Sequence, residues 1–246
     1  MMNNRLTRLL ISVAATAVLM TVLALAANAN PDSRILTLLG GNLPAGLIQG
    51  ATYLLFFFGL MEILAVNQKI SYENDAFSAQ LLPEKENWVL DVDEVNQLKL
   101  NMQHLEKTHH FLLIDLIKKA ATKYRLSKSS AEALAVVEAQ VGIYSREMDS
   151  EQSFINYVAW AIPSVGFIGT VIGIAASLGY ASDAATAEGI KKVTDALSVA
   201  FDTTLVALFL SIVLMLVIHA VQKRQDELFT RMNSYMIENL INRFYK

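Results

Sequence analysis

The chain has 246 residues, of which 54% are hydrophobic and 17% are charged, and its formal net charge is -3. Soluble proteins of this size rarely have so apolar a composition, so the sequence indicates that lipid forms part of its solvent. The acidic balance argues against nucleic acid as a partner, and the absence of cysteine excludes disulfides, thiolate nucleophiles and cysteine-ligated metals.

Four apolar runs are long enough to cross a hydrocarbon core of about 30 Å as helices. They cover residues 6–27, 44–66, 158–179 and 196–221, and one long polar stretch separates the second run from the third. The sequence therefore predicts an all-α, polytopic membrane protein with four transmembrane helices. We expect no enzymatic activity from this arrangement.

The first apolar run also has the features of a cleavable signal peptide, because a basic segment precedes it and the alanine-rich residues 26–29 end it. The apolar stretch from Leu9 to Ala27 is, however, longer than the usual hydrophobic region of about 7–15 residues. We therefore expect a retained first span. Cleavage would leave the orientation of the other three spans unchanged.

Basic residues near the ends of the spans predict the orientation of the chain. Those on one side are Arg5, Arg8, Lys69, Arg146, Lys223, Arg224 and Arg231, and the minority on the other side are Arg34, Lys191 and Lys192. Both termini and the polar insert are therefore expected in the cytoplasm. Glu62, near the cytoplasmic end of its span, is interpreted as a snorkelling side chain that reaches the headgroups.

The polar insert contains two amphipathic segments. From Val95 to Leu116 apolar residues recur at steps of three and four, which predicts one continuous helix. A second helix begins at the capping-box pair Ser129 and Glu132. We expect the two helices to form an antiparallel hairpin joined near residues 124–128.

The same apolar spacing continues after the fourth run, so the C-terminal tail should prolong the last membrane helix into the cytoplasm. The sequence thus predicts four parts. They are a first transmembrane helix pair (1–66), a cytoplasmic helical domain (67–153), a pore-forming transmembrane helix pair (154–222) and a cytoplasmic C-terminal helix (223–246).

A stripe of small residues marks the third span, where Gly166, Gly169, Gly173 and Ser177 lie at steps of three and four. Such a stripe lets another helix approach to backbone contact. Thr170 lies beside the stripe, where its hydroxyl could meet a close helix or a hydrated ion. Packing alone, with the threonine bonded to its own helix, is the alternative interpretation.

The fourth span has a second stripe of small residues and an acidic side chain. The stripe consists of Ala196, Ala200, Thr204, Ala207 and Ser211, with Thr203 at its edge. Asp202 is the one carboxylate that falls well inside a predicted span. A charge at such a position costs about 2.5–3.5 kcal/mol on insertion scales, so the side chain needs water, a partner or a proton.

These two helices resemble those of the MotA, TolQ and ExbB proteins. Residues 163–173, which begin at Pro163, look like the Pro-x-x-Gly-x-x-Gly-Thr-Val-x-Gly signature of TolQ and ExbB. Residues 196–211 look like the helix that follows it, with its pore threonine at Thr204. The resemblance covers about residues 145–222, and the two extra N-terminal spans are more like MotA.

The resemblance implies the subunit of an ion-driven motor or stator in the bacterial inner membrane. Such subunits form a pentameric ring around a dimer of a single-span partner similar to MotB, TolR or ExbD, whose membrane aspartate carries protons or sodium ions. The transported ion is then H+ or Na+, and no cofactor is expected. We expect the third and fourth spans to be innermost, with their small-residue stripes close to a central helix.

The resemblance also suggests roles for individual residues. Thr170, Thr203 and Thr204 would line the ion path, and Asp202 would be a proton or cation site. The residues expected on the packing and pore face are Pro163, Gly166, Gly169, Gly173, Ser177, Ala200, Ala207 and Ser211. One departure is Val199, which stands where TolQ and ExbB have a glutamate. Because positions 199 and 202 share a helical face, we hypothesise that Asp202 replaces that glutamate.

A passive membrane scaffold and an intramembrane protease are the alternative functions. A passive membrane scaffold would also carry small-residue stripes, since such stripes by themselves indicate only helix packing. An intramembrane protease is disfavoured, because Ser177 and Ser211 have no suitably placed base and Asp202 has no second aspartate. A metal site is disfavoured as well, because His109 and His110 lack further ligands at a suitable spacing.

Overall fold

The structure is a computed structural model that describes residues 5–43, 45–83 and 89–244, apart from the side chain of Asp183. Pro44, where the second apolar run begins, lies outside the described residues. The α-helices are α1 (Arg5–Ala29), α2 (Arg34–Leu38), α3 (Leu47–Asp75), α4 (Val92–Leu105), α5 (Leu112–Ser127), α6 (Ser130–Gly179) and α7 (Ala187–Asn239). Short 3-10 helices cover Ala76–Ala79, Ala181–Asp183 and Ile241–Arg243, and the described residues form no β-strand. The all-α prediction is confirmed.

Four of the helices, α1, α3, α6 and α7, are long and apolar enough to cross a membrane. This confirms the four predicted spans in length and composition. The last two helices extend far beyond a bilayer's thickness, since α6 has 50 residues and α7 has 53. The C-terminal tail therefore does prolong the last apolar helix, as its spacing predicted.

The chain divides into two compact units. Unit 1 comprises Met1–Ala65 and Ser153–His219, and thus α1, α2, most of α3 and the apolar parts of α6 and α7. A buried cluster of Leu23, Tyr53 and Val206 brings α1, α3 and α7 together inside this unit. This cluster fixes the three helices to one another, while most of their remaining apolar side chains are not buried within the chain.

The connection between α2 and α3 is a tight turn. Gly40 has a φ of +87°, a conformation that only glycine adopts without strain. The Tyr53 hydroxyl donates a hydrogen bond of 2.9 Å to the Leu39 carbonyl and thereby holds this turn against α3. The turn holds the short helix α2 against α3, in a position from which Arg34 of α2 also reaches α7.

Glu62 corrects one prediction, because its side chain does not snorkel. The residue is 5% exposed, and its carboxylate accepts hydrogen bonds from the guanidinium of Arg8 on α1. A snorkelling carboxylate extends to the lipid headgroups. The carboxylate of Glu62 is instead paired with a cation on the adjacent helix, inside the protein. Ser12 and Thr16 are buried one and two turns beyond Arg8, so one face of α1 carries buried polar side chains.

Unit 2 comprises Val66–Gln152 and Ala220–Lys246. The prediction of one helix from Val95 to Leu116 is wrong, because α4 ends at Leu105 and α5 begins at Leu112. The apolar residues keep a helical spacing between α4 and α5, so this spacing alone could not reveal the break between the two helices. The backbone N–H of Leu112 donates to the buried carboxylate of Glu73 over 2.8 Å, which provides a partner for the new helix start.

The predicted hairpin is formed by α5 and the first part of α6. Lys128 has a φ of +51° and joins the two helices, next to the predicted junction. Lys123 pairs with Glu132 over 2.7 Å, and Tyr144 donates to Asp115, so the helices run antiparallel. Only half of the predicted capping box is present. Ser129 Oγ accepts from the Glu132 N–H over 3.3 Å, while the Glu132 carboxylate binds lysine instead.

Candidate functional site

The central feature of unit 1 is a close contact between α6 and α7. A Cβ atom added at Gly173 would lie 2.6 Å from Ala200 Cβ, and one at Gly169 would lie 2.7 Å from Thr203 Cβ. One added at Gly166 would lie 3.3 Å from Thr204 Cα. The three glycines therefore let the two backbones approach to a distance that no larger residue permits.

The two small-residue stripes thus pack against each other within one subunit. Hydroxyl groups at both ends of the contact strengthen it, since Ser177 donates to the Val193 carbonyl over 3.2 Å and Ser211 donates to the Ala159 carbonyl over 3.3 Å. The sequence predicts that the stripes also lie close to a central helix of a partner, and this stays a prediction. Within the subunit each stripe packs against the other.

A pair of threonine hydroxyls lies in the middle of this contact. Thr204 Oγ1 donates to the Gly166 carbonyl over 2.9 Å, and Thr170 Oγ1 donates to the Ala200 carbonyl over 3.0 Å. The two hydroxyls also contact each other within hydrogen-bonding distance. Both residues are half-buried, so the pair lies at the margin of the contact. The third and fourth spans therefore present joined hydroxyls beside an apolar surface.

Thr203 occupies a different environment from the other two threonines. Its side chain is fully buried between α6 and α7, where it packs on Gly169 and donates to the Ala200 carbonyl over 2.9 Å. In this position Thr203 lines no surface of the subunit. Thr203 thus packs between the two helices of one subunit, and its place on the ion path stays a prediction.

Pro163 lies inside α6 and is half-buried, one turn before Gly166. A proline in a helix lacks the N–H that would bond the preceding turn. The freed carbonyl belongs to Ala159, and that carbonyl accepts the Ser211 hydroxyl of α7. The proline of the signature therefore provides an acceptor for the contact between the two helices.

Asp202 has the partner that a buried carboxylate requires. It is 3% exposed, and the guanidinium of Arg34 on α2 donates two hydrogen bonds to it, of 2.5 and 2.6 Å. Such a bidentate pair is among the strongest charge-assisted contacts in proteins. The carboxylate faces away from the threonine pair, because positions 202 and 204 differ by about 200° around a helix.

Sequence reasoning did not identify Arg34 as part of this site. The sequence predicts for Arg34 only a position on the outer side of the membrane, and 168 positions separate it from Asp202. A charge-balance argument could have found it, since an acid inside a span needs a cation from another element at the same depth. Arg34 directly follows the first span, and Asp202 lies shortly after the start of the fourth.

A match to a protein-family model provides evidence beyond the geometry of the site. The model of the MotA/TolQ/ExbB proton channel family matches residues 109–234, just over half of the chain. Neither the curated proteins nor the solved structures give a match. The four long apolar helices and the glycine-lined contact between two of them define a helical, multi-pass membrane protein. The chain belongs to the MotA/TolQ/ExbB proton channel family, as the signature at residues 163–173 predicted.

Family membership establishes a general function. These proteins are inner-membrane components of proton channels and stator-type complexes, and the family is not one of enzymes. The matched segment includes all of α5 and α6 and most of α7, so it contains both the hydroxyl pair and Asp202. Arg34 lies outside it.

Proposed function

We propose that the chain is the ring-forming subunit of a motor or stator complex driven by the proton or sodium motive force. Five copies would surround a dimer of a single-span partner of the MotB, TolR or ExbD kind. Ions would pass between ring and partner, and their flow would be converted into mechanical work. Family membership and the hydroxyl pair of Thr170 and Thr204 support this proposal.

The hydroxyl pair is the single observation that carries the proposal. In a five-fold ring each subunit would contribute one pair at the same height, so polar oxygens would encircle the path in the middle of an apolar region. Oxygen atoms in such rings can replace part of an ion's water shell or hold a chain of waters for protons. The adjacent exposed side chains of α7, among them Phe201 and Leu205, are apolar and would keep other water away.

Asp202 has a separate role in this proposal. We interpret it as a cation site whose resident cation is the guanidinium of Arg34, since both carboxylate oxygens are occupied. It would then fix α2 on α7 beside the ion path, and an incoming ion would have to compete with Arg34 to reach it. A proton-carrying role would require this pair to open.

Assembly provides the first test. The chain should be purified in detergent together with the single-span protein encoded beside it, and native mass spectrometry should show five copies with two partners. A stable monomer, or a closed ring with an even number of copies, would refute the ring proposal. A ring of five that passes neither protons nor sodium in liposomes under an imposed potential would support the non-conducting scaffold instead.

Orientation provides a second, independent test. Both termini and the α4–α5 region are proposed to lie in the cytoplasm, with the loop between α6 and α7 outside. The chain has no cysteine, so single-cysteine variants give an unambiguous label. Ser182→Cys should react with an impermeant thiol reagent on intact cells and Ser129→Cys should not. The reverse pattern would overturn the orientation.

A further inference from the structure

A polar pocket opens in unit 1 where α2 approaches the starts of α3 and α7. Its volume is about 460 Å³, and the polar side chains that carry the argument are Asp32, Arg34, Gln49, Lys191 and Asp195. A single water needs only about 10–15 Å³ of such space. The pocket therefore has room for an ion together with several waters of its hydration shell.

The free charge of the pocket is negative. The charge of Arg34 is neutralised by Asp202, which lies behind it. Among the described residues, neither Asp32 nor Asp195 forms an ion pair, and Lys191 forms none either. Two carboxylates against one ammonium leave one net negative charge, which attracts a cation and repels an anion.

Gln49 gives a second, independent indication of a ligand. The residue is 2% exposed, and its Oε1 atom accepts no hydrogen bond from any described group. Its Nε2 atom faces the carbonyl of Leu38 at 3.5 Å, so turning the amide around would bring two acceptors together. A buried acceptor without a donor is costly, and native structures usually satisfy it with water or an ion.

We propose that this pocket binds one hydrated monovalent cation, held by the Asp195 carboxylate and Gln49 Oε1. All of the side-chain acceptors in the pocket are oxygen atoms, which hard cations prefer. One net charge matches one monovalent ion. The described residues contain no group of three acidic or histidine side chains close enough for a divalent metal.

This inference deepens the proposed function and rests on it for its biological meaning. Arg34 forms part of the pocket wall and at the same time holds Asp202. A cation in the pocket would therefore lie next to the ion pair, at the end of unit 1 proposed to face outward. The site would concentrate the transported cation where it enters and would compete with Arg34 for the carboxylate of Asp202.

The test is direct binding of sodium to the purified chain. Equilibrium dialysis with ²²Na⁺, at constant ionic strength in choline chloride, should show saturable binding of one ion per chain. Asp195→Asn and Gln49→Leu should each weaken it by about tenfold, because each removes one direct ligand. Glu188→Gln is the matched control, since it removes the same charge from an exposed position on the same helix.

One further variant tests the proposal independently of Asp195. Lys191→Met removes the competing ammonium from an exposed position and should strengthen sodium binding, even if Asp195→Asn fails to fold. Absence of saturable binding by the unmodified chain, or unchanged binding in Gln49→Leu and Lys191→Met, would mean that the pocket holds water only. The assay uses no partner and no gradient, so a failure of ion conduction would count against the proposed function and leave this result standing.

Discussion

The guanidinium of Arg8 donates two hydrogen bonds to the carboxylate of Glu62, of 2.7 Å from Nε and 3.1 Å from Nη2. Both residues are buried, and they join α1 to α3 inside unit 1. Arg5 adds a longer contact to the same carboxylate, 3.7 Å, from a side chain that is 58% exposed. The first apolar helix is therefore tied to the second by charge as well as by packing.

Removing Arg8 alone should destabilise the protein strongly. Arg8→Met leaves the Glu62 carboxylate buried without its main cation, and breaking a buried pair costs about 3–5 kcal/mol. Arg8→Met/Glu62→Met should recover most of that loss because no charge is left uncompensated. Unfolding free energies in mixed micelles would measure the change, and Arg5→Gln is the control with little expected effect. Equal losses in the single and double variants would contradict the argument.

The same pair bears on the processing of the first helix. Cleavage near Ala29 would remove Arg5 and Arg8, the two basic residues that pair with Glu62 among the described residues. We therefore expect the mature chain to keep α1. Intact mass spectrometry of the membrane-extracted protein should give a mass that includes it, and a mass about 30 residues shorter would show cleavage instead.

Adding one methyl group at Gly169 should disrupt the α6–α7 contact. Its Cβ would lie 2.7 Å from Thr203 Cβ on a side chain that is fully buried and cannot move aside. Overpacking of this kind costs about 1–3 kcal/mol, so Gly169→Ala should lower the unfolding midpoint and weaken assembly. Gly179→Ala is the matched control, since nothing lies within 4 Å of a Cβ there. Equal stability of the two variants would show that the helices are further apart.

The sequence could predict those features that depend on the length of apolar runs and on the helical spacing of residues along the chain. Apolar runs of sufficient length located α1, α3, α6 and α7, and the steps between Gly166, Gly169 and Gly173 predicted a close helix contact. The identity of the helix in that contact could not be predicted. A small-residue stripe admits any helix, and only tertiary packing decides whether the neighbour belongs to the same chain.

Pairing between distant charges was the other part that local patterns could not reveal. Arg8 with Glu62 and Arg34 with Asp202 are 54 and 168 positions apart. The sequence predicts headgroups for Glu62 and water, a partner or a proton for Asp202, whereas both carboxylates are satisfied by arginines of neighbouring elements. The break at Leu112 was missed for a similar reason, since its cap comes from Glu73, 39 residues earlier.

Unit 2 should lose stability in acid through Asp115. Burial alone would raise the pKa of Asp115, but hydrogen bonds from Lys119 and Tyr144 and the charges of Lys119 and Lys118 outweigh burial and lower the pKa below its ordinary 3.8. A lowered folded-state pKa stabilises the fold above the ordinary pKa, and the gain disappears as the pH falls through the folded-state pKa.

Asp115→Asn should therefore reduce stability near pH 7 and matter progressively less below about pH 4. The effect should not exceed about 1 kcal/mol, because the carboxylate is partly exposed to solvent. Urea unfolding of the whole protein at several pH values would measure it. Tyr144→Phe removes one of the stabilising donors and should show a smaller version of the same pH dependence. A constant difference from pH 7 to pH 3 would contradict the assignment.

The Arg34–Asp202 pair should respond asymmetrically to the loss of its partners. Arg34→Met leaves a carboxylate that is 4% exposed without a cation, whereas Asp202→Asn leaves a guanidinium that is 57% exposed and can be solvated. Arg34→Met should thus lower stability by about 3–5 kcal/mol and Asp202→Asn by much less. Thermal unfolding in detergent would compare them, and equal losses would refute the asymmetry.

Asp202→Asn should affect the activity of the motor more than the stability of the protein. Asp202→Asn should strongly impair the motor's output in energised cells even though the protein remains folded, since the amide cannot exchange a proton or hold a cation by charge. The assay should be run with and without sodium. Full activity of Asp202→Asn would remove the carboxylate from the mechanism, and output that follows sodium rather than pH would identify sodium as the driving ion.

Replacing Thr204 with valine should abolish ion flow and leave assembly intact. Valine keeps the shape of threonine but removes the hydroxyl that donates to the Gly166 carbonyl and contacts the hydroxyl of Thr170. In a ring of five, the loss is repeated in every subunit along one path. One lost hydrogen bond of about 1 kcal/mol corresponds to about fivefold, and because the loss occurs in all five subunits we expect it to accumulate until no flux is measured.

The matched control for this variant is Thr194→Val. Thr194 lies on the same helix, but its hydroxyl is exposed and bonds only the Ile190 carbonyl of its own helix. Proteoliposomes with a pH-sensitive or sodium-sensitive dye inside would measure the flux, and native mass spectrometry would check the ring. Intact rings of Thr204→Val that conduct as well as those of Thr194→Val would remove the hydroxyl pair from the ion path, because its loss would then have no effect beyond that of a surface threonine.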